Sequence, residues 1–265
     1  MRLFYKSKHI SSFMIQSFEH HELVNQHIIK KLIRLSELRD EDVVLEIGPG
    51  KGKITQELCK SAKSIIAVEK DTDCIKFLEL MTKKNAHLEI INGNILTSSL
   101  PPWNKLVANP PFNILEPLLY WLAKKRFDSA VLISGDNFSD KLTSEDPTRL
   151  ALFSECYFNV SKEAKLCKDD FVPQPRTETV IIKITLKEKH ELNNELVFLR
   201  EFFDQSDKKV KNALIETCTR VLKLTKKQAK EKLKDLNLSD QDVNVLLISN
   251  ENLFKLKQFL EQIFK

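Results

Sequence analysis

The chain has 265 residues, of which 42% are hydrophobic and 30% charged, and it carries a net charge of +5. It is long enough to bury one large α/β domain plus a small appendage. No run approaches the roughly 18 to 20 apolar residues of a membrane span, and Met1 to Met14 lacks the apolar stretch of a signal peptide, so a cytoplasmic protein is expected.

In chain order, Leu23 to Leu35 places Leu23, Ile28, Ile29, Leu32 and Ile33 at helical spacing, which predicts a helix ahead of the first strand. Short apolar runs then recur at Val43 to Ile47, Ser64 to Val68, Leu88 to Ile91, Leu106 to Ala108 and Ala130 to Ile133. They read as buried parallel strands. Helical patterns at Ile54 to Ser61, Asp73 to Lys83 and Glu116 to Lys125 alternate with them, the signature of a doubly wound, Rossmann-like α/β sheet. Phe171 to Thr177, with Pro173 and Pro175, predicts a stiff extended loop, and Thr179 to Leu186 alternates as a late strand.

From about Glu188 the texture turns lysine-rich and helical, so the chain divides into residues 1–187 and a small helical domain, 188–265. In this tail Ser239 is placed to cap a helix, and Leu253 to Phe264 repeats apolar residues at helical spacing. Lysines concentrate between Lys208 and Lys234, a distribution that suits a polyanion as well as a solvated surface. The five cysteines, Cys59, Cys74, Cys156, Cys167 and Cys218, show neither C-x-x-C nor Cys/His spacing, so buried reduced thiols are expected and no metal.

The strongest local signal is Leu45-Glu46-Ile47-Gly48-Pro49-Gly50-Lys51-Gly52, a strand running into a turn with glycine at alternate positions. Gly48 and Gly50 let the backbone approach a ligand closely. The spacing G-x-G-x-G departs from the dinucleotide fingerprint, and no Lys-Ser/Thr pair completes a phosphate loop. Glu69, about 20 residues on, is placed to accept both hydroxyls of an adenosine ribose. Asn94, after the third strand, is placed to hydrogen-bond the adenine edge.

Leu106-Val107-Ala108-Asn109-Pro110-Pro111-Phe112 ends the fourth strand in a pattern that folding needs do not explain. It points to methylation of a planar, conjugated amine, whose lone pair is delocalised and must be reoriented. The side-chain oxygen of Asn109 and the carbonyl of Pro110 can accept the two amine hydrogens, and Phe112 offers a face for the target base. No His/Asp or Cys/His constellation supplies a general base.

Together these segments resemble the ribosomal RNA adenine N6,N6-dimethyltransferases over nearly the whole chain. Gln16-Ser17-Phe18 resembles the family's Gln-Asn-Phe-Leu, Val44 to Gly52 its cofactor loop, and Asn109 to Ile114 its Asn-Leu-Pro-Tyr-Asn-Ile. Phe171 to Thr179 resembles its Phe-x-Pro-x-Pro-x-Val-Asp-Ser and is the most discriminating match. The resemblance implies a class I methyltransferase fold, S-adenosyl-L-methionine as cofactor and ribosomal RNA of the small subunit as partner; a monomer is expected, although the sequence does not fix the oligomeric state.

It also implies Ser17 and Glu19 near the methionine moiety, Gly48 at the loop, Glu69 on the ribose, Asn94 on the adenine and Asn109 at the reaction centre. Phe171 would sandwich the target adenine against Phe112. Ser17 stands where asparagine is usual, Glu19 where leucine is usual, and Asn94 where aspartate is usual; Ser134-Gly135-Asp136 lies where the family often has Gln-Lys-Glu. Two alternatives remain open at this point: a DNA adenine methyltransferase, which usually carries a larger target-recognition domain, and a non-catalytic RNA-binding assembly factor that keeps the fold.

Overall fold

A computed structural model describes residues 21–264; Ser17 and Glu19 lie outside the described residues. The chain forms two compact units, residues 21–139 with 161–185, and residues 140–160 with 186–264. The second unit takes in 140–160, a segment that the sequence reading left with the first domain.

The first unit is built on a seven-stranded sheet. Its parallel part comprises β2 (Val43–Ile47), β3 (Ser64–Glu69), β4 (Leu88–Asn92), β5 (Lys105–Ala108) and β6 (Ser129–Gly135). A further pair, β7 (Phe158–Leu166) and β9 (Thr179–Leu186), completes it in the order β4-β3-β2-β5-β6-β9-β7, with β9 antiparallel to β6. Every residue of β5 and β6 is buried, as are Val44 to Ile47 of β2, because helices cover both faces of such a sheet. The helices α1 (Gln26–Leu35), α2 (Lys53–Leu58), α3 (Thr72–Thr82) and α4 (Leu115–Leu122) match the predicted alternation with ends shifted by a few residues, and a short α5 (Asp136–Leu142) follows β6. Ahead of α1, β1 (Glu22–Leu23) pairs with β8 (Phe171–Val172), so Leu23 belongs to a strand rather than to the helix.

The nine-residue β7 was invisible in the sequence. It lies at the sheet edge and carries Ser161, Lys162, Glu163 and Lys165 in place of a β-branched run. Charges on an edge strand discourage pairing with other chains and erase the apolar signal at the same time.

The second unit contains α6 (Arg149–Tyr157), α7 (Asn194–Phe203), α8 (Val210–Val221), α9 (Lys226–Lys232) and α10 (Asn250–Ile263). Phe153 of α6 meets Phe203 of α7 edge-on at 5.4 Å, and the Tyr157 hydroxyl donates to Asp204 at 2.6 Å. These contacts are why 140–160 groups with the C-terminal helices. Ser239 caps no helix; its hydroxyl instead accepts from Asn252 at 2.9 Å, and Ser249 is the cap of α10. Cys156 and Cys218 are buried, Cys59 and Cys74 half-buried, and Cys167 is exposed, a correction to the expectation that all five are buried. Among the described residues no helix is long and apolar enough to cross a membrane, and no cluster of His, Cys, Asp and Glu has metal-site geometry.

Candidate active site

The strand order reverses between β2 and β5, since β3 and β4 extend the sheet to one side and β6 to the other. At such a switch point the loops leaving the two strands diverge and open a crevice. The register brings the candidate residues to that edge: Ile47 faces Val68 on one side and Ala108 on the other, and Glu69 faces Asn92. Gly48, Glu69, Asn94 and Asn109 therefore share one end of the sheet. A Cβ built on Gly48 would lie 3.7 Å from Pro111 Cδ, so the glycine loop and the Asn-Pro-Pro-Phe turn are in van der Waals reach.

The loop backbone needs its glycines. Gly52 sits at φ 81°, and a Cβ there would come within 2.6 Å of Met81 Sδ on α3. Gly50, at φ 55°, has no described atom within 4 Å of where its Cβ would point, so one side of its backbone is left bare. Gly50 N–H donates to Glu69 Oε2 at 3.0 Å, and Glu69 Oε1 accepts from the amides of Lys70 and Asp71 at 2.8 and 2.9 Å. Three N–H groups thus fix a carboxylate that is only 3% exposed, while lone pairs remain for a diol. This donor set fits the adenosine part of S-adenosylmethionine.

Asn94 is exposed, and its Oδ1 accepts from Leu96 N–H at 3.0 Å, a local turn. The oxygen expected to meet the adenine amine is thus engaged with backbone. Its Nδ2 makes no hydrogen bond among the described residues and is a donor suited to a ring nitrogen rather than to an amine.

Glu46 is a residue to which the sequence reading gave no role, although a carboxylate inside a β-branched run was its signal. It is 1% exposed, and among the described residues neither its oxygens nor the buried Thr55 hydroxyl nearby completes a hydrogen bond of good geometry. Burial pushes its carboxyl up to about 8, and the charge of Glu69 adds to the rise while Thr55 offsets part of it. At neutral pH Glu46 is therefore mainly an uncharged acid beneath the glycine loop.

At the turn after β5, Asn109 Nδ2 donates to the carbonyl of His21 at 2.7 Å. A carbonyl can only accept, so the amide nitrogen must face it and Oδ1 is left without a partner among the described residues. Pro110 is buried, and Phe112 is half-buried at the rim of the apolar core. Phe171, expected as the second wall for a base, is 1% exposed and packs in that core with Leu23, Ile29 and Ile181. Its β8 strand pairs with β1, and here the ring packs in the core rather than facing outward, while Phe112 keeps a partly exposed face.

The second unit carries the lysine cluster between Lys208 and Lys234. Lys208 pairs with Glu216, Arg220 with Glu216 and, at 2.6 Å, Glu201, and Lys209 with Asp242 at 3.7 Å. Lys211, Lys223, Lys226, Lys227 and Lys230 are exposed, with no ion pair within 4.0 Å among the described residues. The free cations are therefore centred on α9 and the turn before it, not on the Lys208-Lys209 dipeptide.

Comparison with known proteins adds an independent line. The profile of the family described as "Ribosomal RNA adenine dimethylase" matches residues 12–253. The chain is 31% identical over 249 residues to the "Probable ribosomal RNA small subunit methyltransferase A" of Pyrococcus furiosus, covering 90% of this chain and 89% of that one. It is 32% identical over 220 residues to the "Ribosomal RNA small subunit methyltransferase, mitochondrial" of Arabidopsis thaliana, covering 78% of this chain and 58% of that one. Among solved structures, a dimethyladenosine transferase from Plasmodium falciparum superposes with a TM-score of 0.64 at 24% identity, covering 92% of this chain and 99% of that one. The 23S rRNA methyltransferase ErmE gives a TM-score of 0.61 at 21% identity over 91% of this chain and 99% of its own; at these identities both speak to the fold alone.

Proposed function

The chain belongs to the ribosomal RNA adenine dimethylase family, and from that premise we propose that it transfers methyl groups to N6 of adenine in small-subunit ribosomal RNA, acting as a monomer and forming dimethyladenosine. The observation that carries the reading is the Asn109 amide: its nitrogen donates to the His21 carbonyl, which leaves Oδ1 as an acceptor with no partner among the described residues, on a turn that lies against the glycine loop.

S-adenosylmethionine, when bound, supplies an electrophilic methyl group on a sulfonium. Gly48 and Gly50 let the backbone lie against it, and the Glu69 carboxylate, held by three amides, accepts the ribose hydroxyls. Asn94 contributes an amide donor at the adenine edge. On the substrate side, Asn109 Oδ1 and the Pro110 carbonyl accept the two amine hydrogens. Holding both hydrogens aims the nitrogen lone pair out of the ring plane, the geometry that in-line attack requires, and this positioning replaces a strong general base. Phe112 stacks on the target base after it leaves its own strand. The free lysines around α9 bind RNA phosphates without reading sequence. Ser17 and Glu19, outside the described residues, are assigned to the methionine moiety by the family pattern alone.

The test is transfer of labelled methyl groups to unmethylated small subunits, naked ribosomal RNA and duplex DNA, with nucleoside analysis. Dimethyladenosine from the subunit is the expected product. Methyladenine from duplex DNA alone would make this a DNA enzyme, and no product from any substrate would leave a folded, non-catalytic assembly factor.

A further inference from the structure

The segment His21 to Asn25 is stitched to the loop around β8 at every step. Val24 N–H donates to the Asp170 carbonyl at 2.8 Å, Asn25 Nδ2 donates to Asp170 Oδ1 at 2.6 Å, and Glu22–Leu23 pairs with Phe171–Val172. His21 closes the series, its Nδ1 lying 2.9 Å from the Pro173 carbonyl. Because that carbonyl only accepts, Nδ1 bears the proton and donates. The same residue reaches the reaction centre twice: its backbone carbonyl accepts from Asn109 Nδ2 at 2.7 Å, and its ring lies 6.0 Å from that of Phe112, tilted by 45°.

We infer that His21 is a positioning residue for methyl transfer, whose imidazole, anchored on Pro173, holds its own carbonyl where it forces the Asn109 amide to present Oδ1 to the substrate amine. Without the ring anchor, this end of the strap is held only from Glu22 onward. The Asn109 amide then loses its fixed acceptor and is free to rotate, so that Nδ2, which repels an N–H, reaches the substrate as often as Oδ1. The inference rests on the proposed role of Asn109 and adds a residue that touches neither cofactor nor base.

The variants that test it are His21→Ala and His21→Asn. The asparagine Nδ2 stands the same number of bonds from Cα as the imidazole Nδ1 and can donate to the Pro173 carbonyl in its place. Two readouts are taken on the full chain. In the first, hydrogen exchange of the Asn109 side-chain amide is followed by 1H–15N NMR: it is slow in wild type and in His21→Asn and fast in His21→Ala. In the second, kcat on small subunits falls by about tenfold to a hundredfold in His21→Ala, the scale of an ångström-sized misplacement, with cofactor Kd unchanged, and largely recovers in His21→Asn. An Asn109 amide that exchanges equally slowly in His21→Ala, or an asparagine variant no better than alanine in either readout, would overturn the inference. Should wild type transfer no methyl to adenine, the reading of the reaction falls, while the amide exchange still decides whether His21 holds Asn109.

Discussion

Charge is handled in opposite ways in the two compact units. In the first, Glu46 and Glu69 are sunk almost completely beside the glycine loop, Glu46 as a mainly uncharged acid with no hydrogen bond of good geometry among the described residues and Glu69 as an acceptor held by three backbone amides. In the second, lysines and arginines lie on the surface, some tied to neighbouring glutamates and others free. Buried carboxylates are costly and persist where a small ligand needs a fixed acceptor. Surface cations cost little and serve a long polyanion by number rather than by placement. The contrast teaches that substitutions in the first unit should act on turnover and on pH-dependent stability, and those in the second on affinity and its salt dependence.

The sharpest break of that contrast is Asn109→Ala. It is expected to lower kcat by about a hundredfold to a thousandfold, the cost of losing a preorganised acceptor, with cofactor Kd measured by calorimetry unchanged. Product formation at the wild-type rate would remove Asn109 from the reaction centre.

Next in size is Glu46→Gln. The folded carboxyl titrates at about 8 against 4.5 for the free group, so this is a raised value. Below the free value both states are protonated and nothing is lost. As pH rises past it the unfolded chain releases the proton while the folded chain keeps it, so wild-type stability falls by about 1.4 kcal/mol per pH unit until the folded acid also ionises. Glutamine has no proton to lose. The Tm advantage of the variant is therefore expected to widen between about pH 5 and about pH 8 and to stay constant above that. A pH-independent difference in thermal unfolding would show that Glu46 is already charged in the folded protein.

The same contrast explains what the sequence disclosed. The core strands, the glycine loop and Asn109-Pro110-Pro111-Phe112 were legible because each is contiguous, and a buried parallel strand writes its apolar run directly into the chain. β7 was not, since an edge strand bearing Lys162, Glu163 and Lys165 reads as surface. Phe171 carried an aromatic-before-proline pattern compatible with either a wall or a core, and only the pairing of its strand with β1 shows the ring packed in the core here. His21 left no side-chain signal at all toward Asn109, because it acts there through its main-chain carbonyl. Likewise the lysine count of the tail could not separate neutralised from free cations, which depends on glutamates contributed by other turns and helices.

That separation makes a third prediction. Replacing Lys226, Lys227 and Lys230 together by glutamine should weaken RNA binding about tenfold near physiological salt and reduce the slope of log K against log salt by about 2 to 3, since each phosphate contact contributes about 0.7 to 0.9. Turnover at saturating RNA should not change. Deleting residues 188–265 is a poorer experiment, because Phe153 and Tyr157 would lose the Phe203 and Asp204 contacts that bury them. An unchanged salt slope in the triple variant would place the RNA surface elsewhere.

The smallest effect is expected for Arg220→Gln. Its guanidinium already lies between Glu201 and Glu216, and the hydrogen bond it donates to Glu201 leads the interactions that hold it firmly charged. A phosphate approaching it meets two carboxylates as well as one cation, and exposed ion pairs of this kind contribute little on their own. RNA affinity in Arg220→Gln should stay within about twofold of wild type and the salt slope should not move. If the variant instead weakened binding as much as a single α9 lysine, RNA would be competing with the glutamates for Arg220. The paired cations would then belong to the binding surface, and the division between neutralised and free lysines would mark only the RNA-free protein.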